Sequence, residues 1–124
     1  MANDILLIEK ENSLRATLAQ RLRQEGLHVR EADHNAEVLS ILSHTPVGVV
    51  LLGLKEFKGS GIAILRMIRA QFPQIKVITI NSGERLDLSI EAMRLGVLDD
   101  FMIPFDVEEL MARIRKELPG TRPL

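Results

Sequence analysis

Few residues in this chain could do chemistry by type and spacing, and those few are incomplete. Cysteine is absent, which removes disulfides, thiolate metal sites and cysteine nucleophiles. His28, His34 and His44 share no ligand spacing and read as exposed or half-exposed positions on an edge strand and a helix. Gly59-Ser60-Gly61 suggests a phosphate cradle at a helix N-terminus. It lacks the lysine and the further glycines of the known phosphate fingerprints, so a flexible helix entry is expected instead. Gly83 beside Asn81-Ser82 is no stronger. Ser13, Ser60, Ser82 and Ser89 have no positioned base, and no nucleophilic triad can be assembled. There is no Trp or Tyr to stack on a flavin or nucleobase. What remains is a position. The run Val47-Gly48-Val49-Val50-Leu51-Leu52-Gly53-Leu54 is apolar on both faces, as a central parallel strand is. In open parallel α/β sheets the site lies at the carboxyl ends of the central strands, and there this chain places Gly53, which has no side chain to react.

The elements that would position such a site follow in order. Ile5–Ile8 is a short buried strand, and Leu14, Leu18 and Leu22 are the stripe of a helix capped by Asn12 or Ser13 and stopped at Gly26. Leu27–Ala32 alternates as an edge strand does. Asp33 is expected to cap a second helix carrying Ala36, Leu39, Ile41 and Leu42 inward and ending before Pro46. After the central strand comes a helix over 61–72 with Ile62, Leu65 and Ile68 inward, then a β-branched strand over 76–80. Asn81-Ser82-Gly83 reads as loop, 84–95 as a helix closed by Gly96, and 98–103 as the fifth strand. Asp106 caps a last helix striped by Val107, Leu110, Met111, Ile114 and Leu118. Five alternating strands and helices imply an α/β, flavodoxin-like (βα)5 doubly wound sandwich, its five-stranded parallel sheet in the order 2-1-3-4-5. That order sets Glu9, Lys10 and Glu11 beside Gly53, with Asn81 and Ile103 at the neighbouring strand ends. Residues 1–118 form one domain, and the Pro/Gly-bearing 119–124 read as a tail or the start of a linker.

The totals exclude several classes. The 124 residues carry a formal charge of -1, with 46% hydrophobic and 27% charged residues, so no bulk attraction to nucleic acid or anionic membrane is expected. No stretch approaches the roughly 20 apolar residues of a membrane span, and no secretory leader pattern opens the chain. A cytoplasmic protein is expected.

The strand-one acidic cluster, Gly61 after strand three, Ala92-Met93-Arg94-Leu95-Gly96, and Asp99 ahead of Pro104-Phe105 together resemble a response-regulator receiver domain from end to end. The resemblance implies an acidic pair after strand one, a phosphoacceptor aspartate after strand three, a Thr or Ser after strand four and a Lys before the proline after strand five. Position by position this chain has Glu9-Lys10, Gly53, Asn81 and Ile103 instead. Phe57 stands where the family has a proline, and Asp100 stands at the switch aromatic with Phe101 beside it. Leu54, Gly61, Pro104 and Phe105 keep the framework. Glycine cannot accept a phosphoryl group. The losses are physically coupled: fewer carboxylates need no divalent cation, and without the aspartate a lysine at 103 would be a costly unpaired ammonium. Glu9, Glu11 and Glu56 are the carboxylates near enough to replace the metal ligands; the expected roles are solvated loop charges for Glu11 and Glu56 and an ion pair with Lys10 for Glu9.

The chain is therefore expected to be an atypical, pseudo-receiver signalling module with no catalytic activity, cofactor or metal. It would work by contact with a protein partner (a sensor kinase, an effector domain or another receiver) or as a homodimer through the helix 4–strand 5–helix 5 face, without binding nucleic acid or membrane. Helix four has two apolar stripes, and Leu88, Ala92 and Leu95, with Asp100, are the expected partner surface; Leu86, Ile90 and Met93 would then cover the sheet. A piece of a longer regulator is a second reading; a flavodoxin-like small-ligand binder or enzyme using the relic pocket is the alternative. The Ile103–Pro104 peptide is expected to be cis.

Overall fold

The computed structural model describes residues 3–54 and 60–118. The elements run β1 (Asp4–Ile8), α1 (Asn12–Gln24), β2 (Val29–Ala32), α2 (Asn35–His44), β3 (Val47–Gly53), α3 (Ser60–Gln71), β4 (Lys76–Ser82), α4 (Leu86–Arg94), β5 (Asp99–Ile103) and α5 (Val107–Glu117). All pairings are parallel and the strand order is β2-β1-β3-β4-β5, as the alternation of elements implies. Expectations that fall on Glu56, Phe57 and Gly59, and on the tail from 119, lie outside the described residues.

Side chains of a strand point alternately to its two faces, and β3 sorts its residues accordingly. Val50 and Leu52 join a core with α2, α3 and α4, while Val49 and Leu51 join a second core with α1 and α5. Both faces of β3 are closed, which is why its sequence is apolar without alternation.

Helix ends account for the sharp boundaries. At Gly26 (φ 85°) the N–H bonds back to Arg23 O and that of Leu27 to Leu22 O, the paired bonds of a Schellman stop. Gly96 (φ 82°) repeats the arrangement through Met93 O and, from Val97, Ala92 O. Asp106 caps α5 as expected, accepting from Glu108 N at 2.9 Å.

Four local expectations are corrected. The α1 cap is Glu11, whose carboxylate accepts from Leu14 N at 3.3 Å, and not Asn12 or Ser13, which lie inside the helix. The α2 cap is His34 and not Asp33, whose carboxylate turns to the His34 ring while Glu37 reaches back to accept the Asp33 N–H at 3.2 Å. Val38 and Leu42 form the inward stripe of α2, with Ile41 partly buried; Ala36 and Leu39 face solvent. Finally, β4 continues two residues past Ile80, because Asn81 pairs with Met102 and Ser82 with Ile103 at the sheet edge.

Candidate functional site at the carboxyl ends of the strands

The parallel register assembles the site. Ile8 lies opposite Leu52, and Gly53 opposite Ile80, so Glu9, Gly53 and Asn81 leave adjacent strands at one end of the sheet. Glu9 is buried, 3% exposed, and its backbone N–H still bonds to Ala32 O. Its carboxylate lies directly over Gly53: a Cβ built on that glycine would sit 2.0 Å from Glu9 Oε1 and 2.8 Å from its Cδ. The other oxygen, Oε2, accepts the Glu11 N–H at 3.1 Å. The room left by the missing side chain at 53 is thus filled by a neighbouring strand's carboxylate.

This arrangement corrects the pairing of Glu9 with Lys10. Consecutive residues leaving a strand turn to opposite sides; Lys10 is exposed and makes no ion pair among the described residues. Glu11 is no loose loop charge either, since its Oε1 takes both Leu14 N and, at 2.9 Å, the Ser13 hydroxyl. Arg15 frames the same corner, donating to Glu9 O at 2.7 Å and to Glu31 at 3.3 Å.

Asn81, 1% exposed, spends its side chain on structure. Its Nδ2 donates to Arg85 O at 2.8 Å and to Ser89 Oγ at 3.0 Å, and its Oδ1 accepts Ser82 N at 2.9 Å. Ile103 is 43% exposed and closes, with Leu14, Ile80, Ser82 and the two glutamates, a cavity of about 200 Å³. The Ile103–Pro104 peptide is cis, as expected.

The partner-face residues are corrected. Leu88 and Ala92 are buried, 7% and 0% exposed, and Leu95 packs partly buried against the core. The other stripe is the exposed one: Leu86, Ile90 and Met93 are 59%, 49% and 53% exposed. The inward arc of α4 is 88, 89 and 92. Asp100 also turns inward. Its Oδ1 accepts Thr79 Oγ1 and its Oδ2 accepts Ser89 Oγ, both at 2.6 Å. Phe101, next to it, packs edge-on to Phe105 with centroids 5.8 Å apart. Thr79 is not weighed in the sequence, and Ser89 only as a nucleophile without a base; the one signal for its packing role is that it shares the arc of Leu88 and Ala92.

Asp33, His34 and Glu37 bring one ligand atom each within 4.8 Å of one another. The hydrogen bond with His34 holds the Asp33 carboxyl below its ordinary range, with smaller help from the charges of Arg15 and Lys10. The group is solvent-facing and its bonds are those of the α2 start.

A five-stranded parallel sheet in this order, with the candidate residues at the ends of β1, β3, β4 and β5, is the flavodoxin-like frame that receiver domains share. The family model of the response regulator receiver domain matches residues 5–115, and the chain belongs to that family. It is 28% identical over 121 residues to an NtrX-like response regulator of Rickettsia felis, covering 96% of this chain and 26% of that protein. It is 29% identical over 119 residues to sporulation initiation phosphotransferase F of Bacillus subtilis, covering 96% of each. The crystal structure of the receiver domain of NtrX from Brucella abortus superposes with a TM-score of 0.85 at 25% identity, over 94% of this chain and 99% of that one. The chain spans about a quarter of the NtrX-like relatives' length. Among the described residues no helix is long and apolar enough to cross a membrane.

Proposed function

We propose that this receiver domain takes no phosphoryl group at its third-strand site and acts in signal transduction as a cytoplasmic protein-interaction module, not as an enzyme. The observation that carries this reading is the Glu9 carboxylate lying over a glycine at the acceptor position. Glycine supplies no oxygen to phosphorylate, and the Glu9 side chain fills the space in front of it. Among the described residues, Lys10 faces solvent and Glu11, though it lines the cavity beside Glu9, is engaged in the α1 cap. The degenerate positions are Glu9, Lys10, Gly53, Asn81 and Ile103.

The interaction face in this reading is α4–β5–α5, with Leu86, Ile90 and Met93 as its apolar centre and Met102 and Ile103 at its edge. Its partner is a protein: a sensor kinase, an effector domain or another receiver, including a second copy. Direct contact with nucleic acid or membrane is not part of the proposal. The rival, a small-ligand binder or enzyme in the relic pocket, has a cavity of about 200 Å³, below the roughly 300–1,000 Å³ of small-molecule sites.

Incubation with a small-molecule phosphodonor and Mg²⁺, read by intact mass and peptide mapping, tests the proposal. No mass gain in the pocket is expected, and millimolar Mg²⁺ should leave the melting temperature unchanged. A phosphoryl group mapped to a residue of this strand end overturns it.

A further inference from the structure

Helix α4 is held to the sheet by polar groups as much as by apolar ones. Of its nine residues, Leu88, Ser89 and Ala92 are the buried ones, and its N-cap residue, Arg85, makes no side-chain capping bond. Two side chains from the sheet reach it instead. Asn81 of β4 ties down the Arg85 carbonyl and the Ser89 hydroxyl. Asp100 of β5 accepts from Ser89 with one oxygen and from Thr79 of β4 with the other. Both hydroxyl–carboxylate separations are 2.6 Å, the range of charge-assisted O–H···O⁻ bonds.

The donors run in one direction: the Asn81 amide N–H to the Ser89 oxygen, the Ser89 proton to Asp100, and the Thr79 proton to the same carboxylate. Ser89 has one proton to give, and giving it to Asp100 leaves its lone pairs for Asn81. Removal of the carboxylate leaves the Ser89 proton, on a residue 7% exposed, without its acceptor and the fully buried Thr79 hydroxyl with only the Asp99 carbonyl at 3.5 Å, and an unsatisfied polar group there is expensive.

We propose that Asp100 is the latch that positions α4. Bound from β4 and α4 at once, its carboxylate fixes the helix against the β4–β5 edge, and with it the exposed stripe Leu86, Ile90 and Met93. That the fixed stripe is a docking face rests on the interaction reading above; the latch itself is read from the contacts alone. Asp100 is on this account a positioning residue.

Amide hydrogen exchange of the whole chain, wild type against Asp100→Ala, Asp100→Asn and Ser89→Ala, tests it with neither phosphodonor nor partner present, so its outcome is separate from that of the phosphorylation test. The amides of residues 88–94 should exchange tenfold or more faster in Asp100→Ala and Ser89→Ala relative to those of β1 and β3, and less so in Asp100→Asn, whose carboxamide oxygen still accepts one hydroxyl. Unchanged α4 exchange, or a rise only in step with β1 and β3, overturns the latch. If Asp100→Ala does not fold, Ser89→Ala, which keeps the Thr79–Asp100 bond, carries the same comparison.

Discussion

A single methyl group at position 53 measures how firmly Glu9 occupies the site. The new Cβ of Gly53→Ala falls 2.0 Å from Glu9 Oε1 and 2.8 Å from Cδ, so the carboxylate must move. Glu9 is 3% exposed, and moving it forfeits the Glu11 N–H bond. A hydrogen bond to a charged group contributes about 1.5–3 kcal/mol. In the other direction, alanine in place of a glycine with a compatible backbone stabilises by about 0.4–1 kcal/mol through the unfolded chain, and Gly53 is not a positive-φ glycine. The net effect is a loss of about 1–2 kcal/mol. In a Glu9→Ala background no carboxylate is in the way, and the same substitution should stabilise by about 0.4–1 kcal/mol. The sign of the effect therefore reverses between backgrounds, with a coupling of about 2 kcal/mol, inside the range of contacting pairs. Denaturant unfolding of the four proteins reads it. A Gly53→Ala that is neutral in the wild type, or that costs the same in both backgrounds, refutes the placement of Glu9. Gly53→Asp should cost more than Gly53→Ala, because a larger side chain must enter the space that the Glu9 carboxylate fills.

The two stripes of α4 should respond oppositely to charge: Ile90→Glu should shift stability by no more than about 0.5 kcal/mol, as exposed positions do, whereas Ala92→Glu buries a carboxylate and should abolish the cooperative unfolding transition; equal effects would contradict the orientation of the helix. At the α2 start, His34→Ala should raise the Asp33 carboxyl toward its ordinary value, followed by NMR titration of the carboxyl carbon. Because folding lowers this carboxyl, its contribution is present above the ordinary carboxylate pKa and disappears as pH falls through the lowered one; an unmoved titration in the variant would show that His34 is not the cause.

Much of the fold was legible because it follows from repeated patterns. The two-sided apolar run of β3 identified the centre of a parallel sheet, and glycines at 26 and 96 marked helix ends that the structure closes with positive φ. Asp106 as a cap and the α5 stripe were readable for the same reason. Errors came where two answers share one period. In α4 the period admits 86–90–93 and 88–92–95 alike, and in α2 the expected set rightly held Ile41 and Leu42 but took Ala36 and Leu39 in place of Val38. Caps shifted by one residue because Glu11, Asn12 and Ser13 can all accept an N–H, and backbone entry angle selects among them. The site was legible as a set of positions but not as a set of contacts. No pattern reports that the side chain after β1 folds over the end of β3, since that depends on the rotamer of one residue and the absence of a Cβ on another.

Those contacts alter what the substitutions mean. At each strand end, the group in the family's place is engaged with its neighbours. Glu9 lies over Gly53 and holds Glu11 N–H. Asn81 spends its amide on α4 and Ser82 N. Asp100 joins Thr79 to Ser89, and Ile103 has no polar group to satisfy at a position 43% exposed. A reversal at any one of them meets a committed neighbour: an aspartate at 53 meets the Glu9 carboxylate, and a threonine at 81 leaves Arg85 O and Ser89 without the amide. Contacting residues of this kind do not contribute additively. On the proposal that the domain takes no phosphoryl group, a phosphoryl site in this frame would need concerted change at β1, β3, β4 and β5 and not at one position alone.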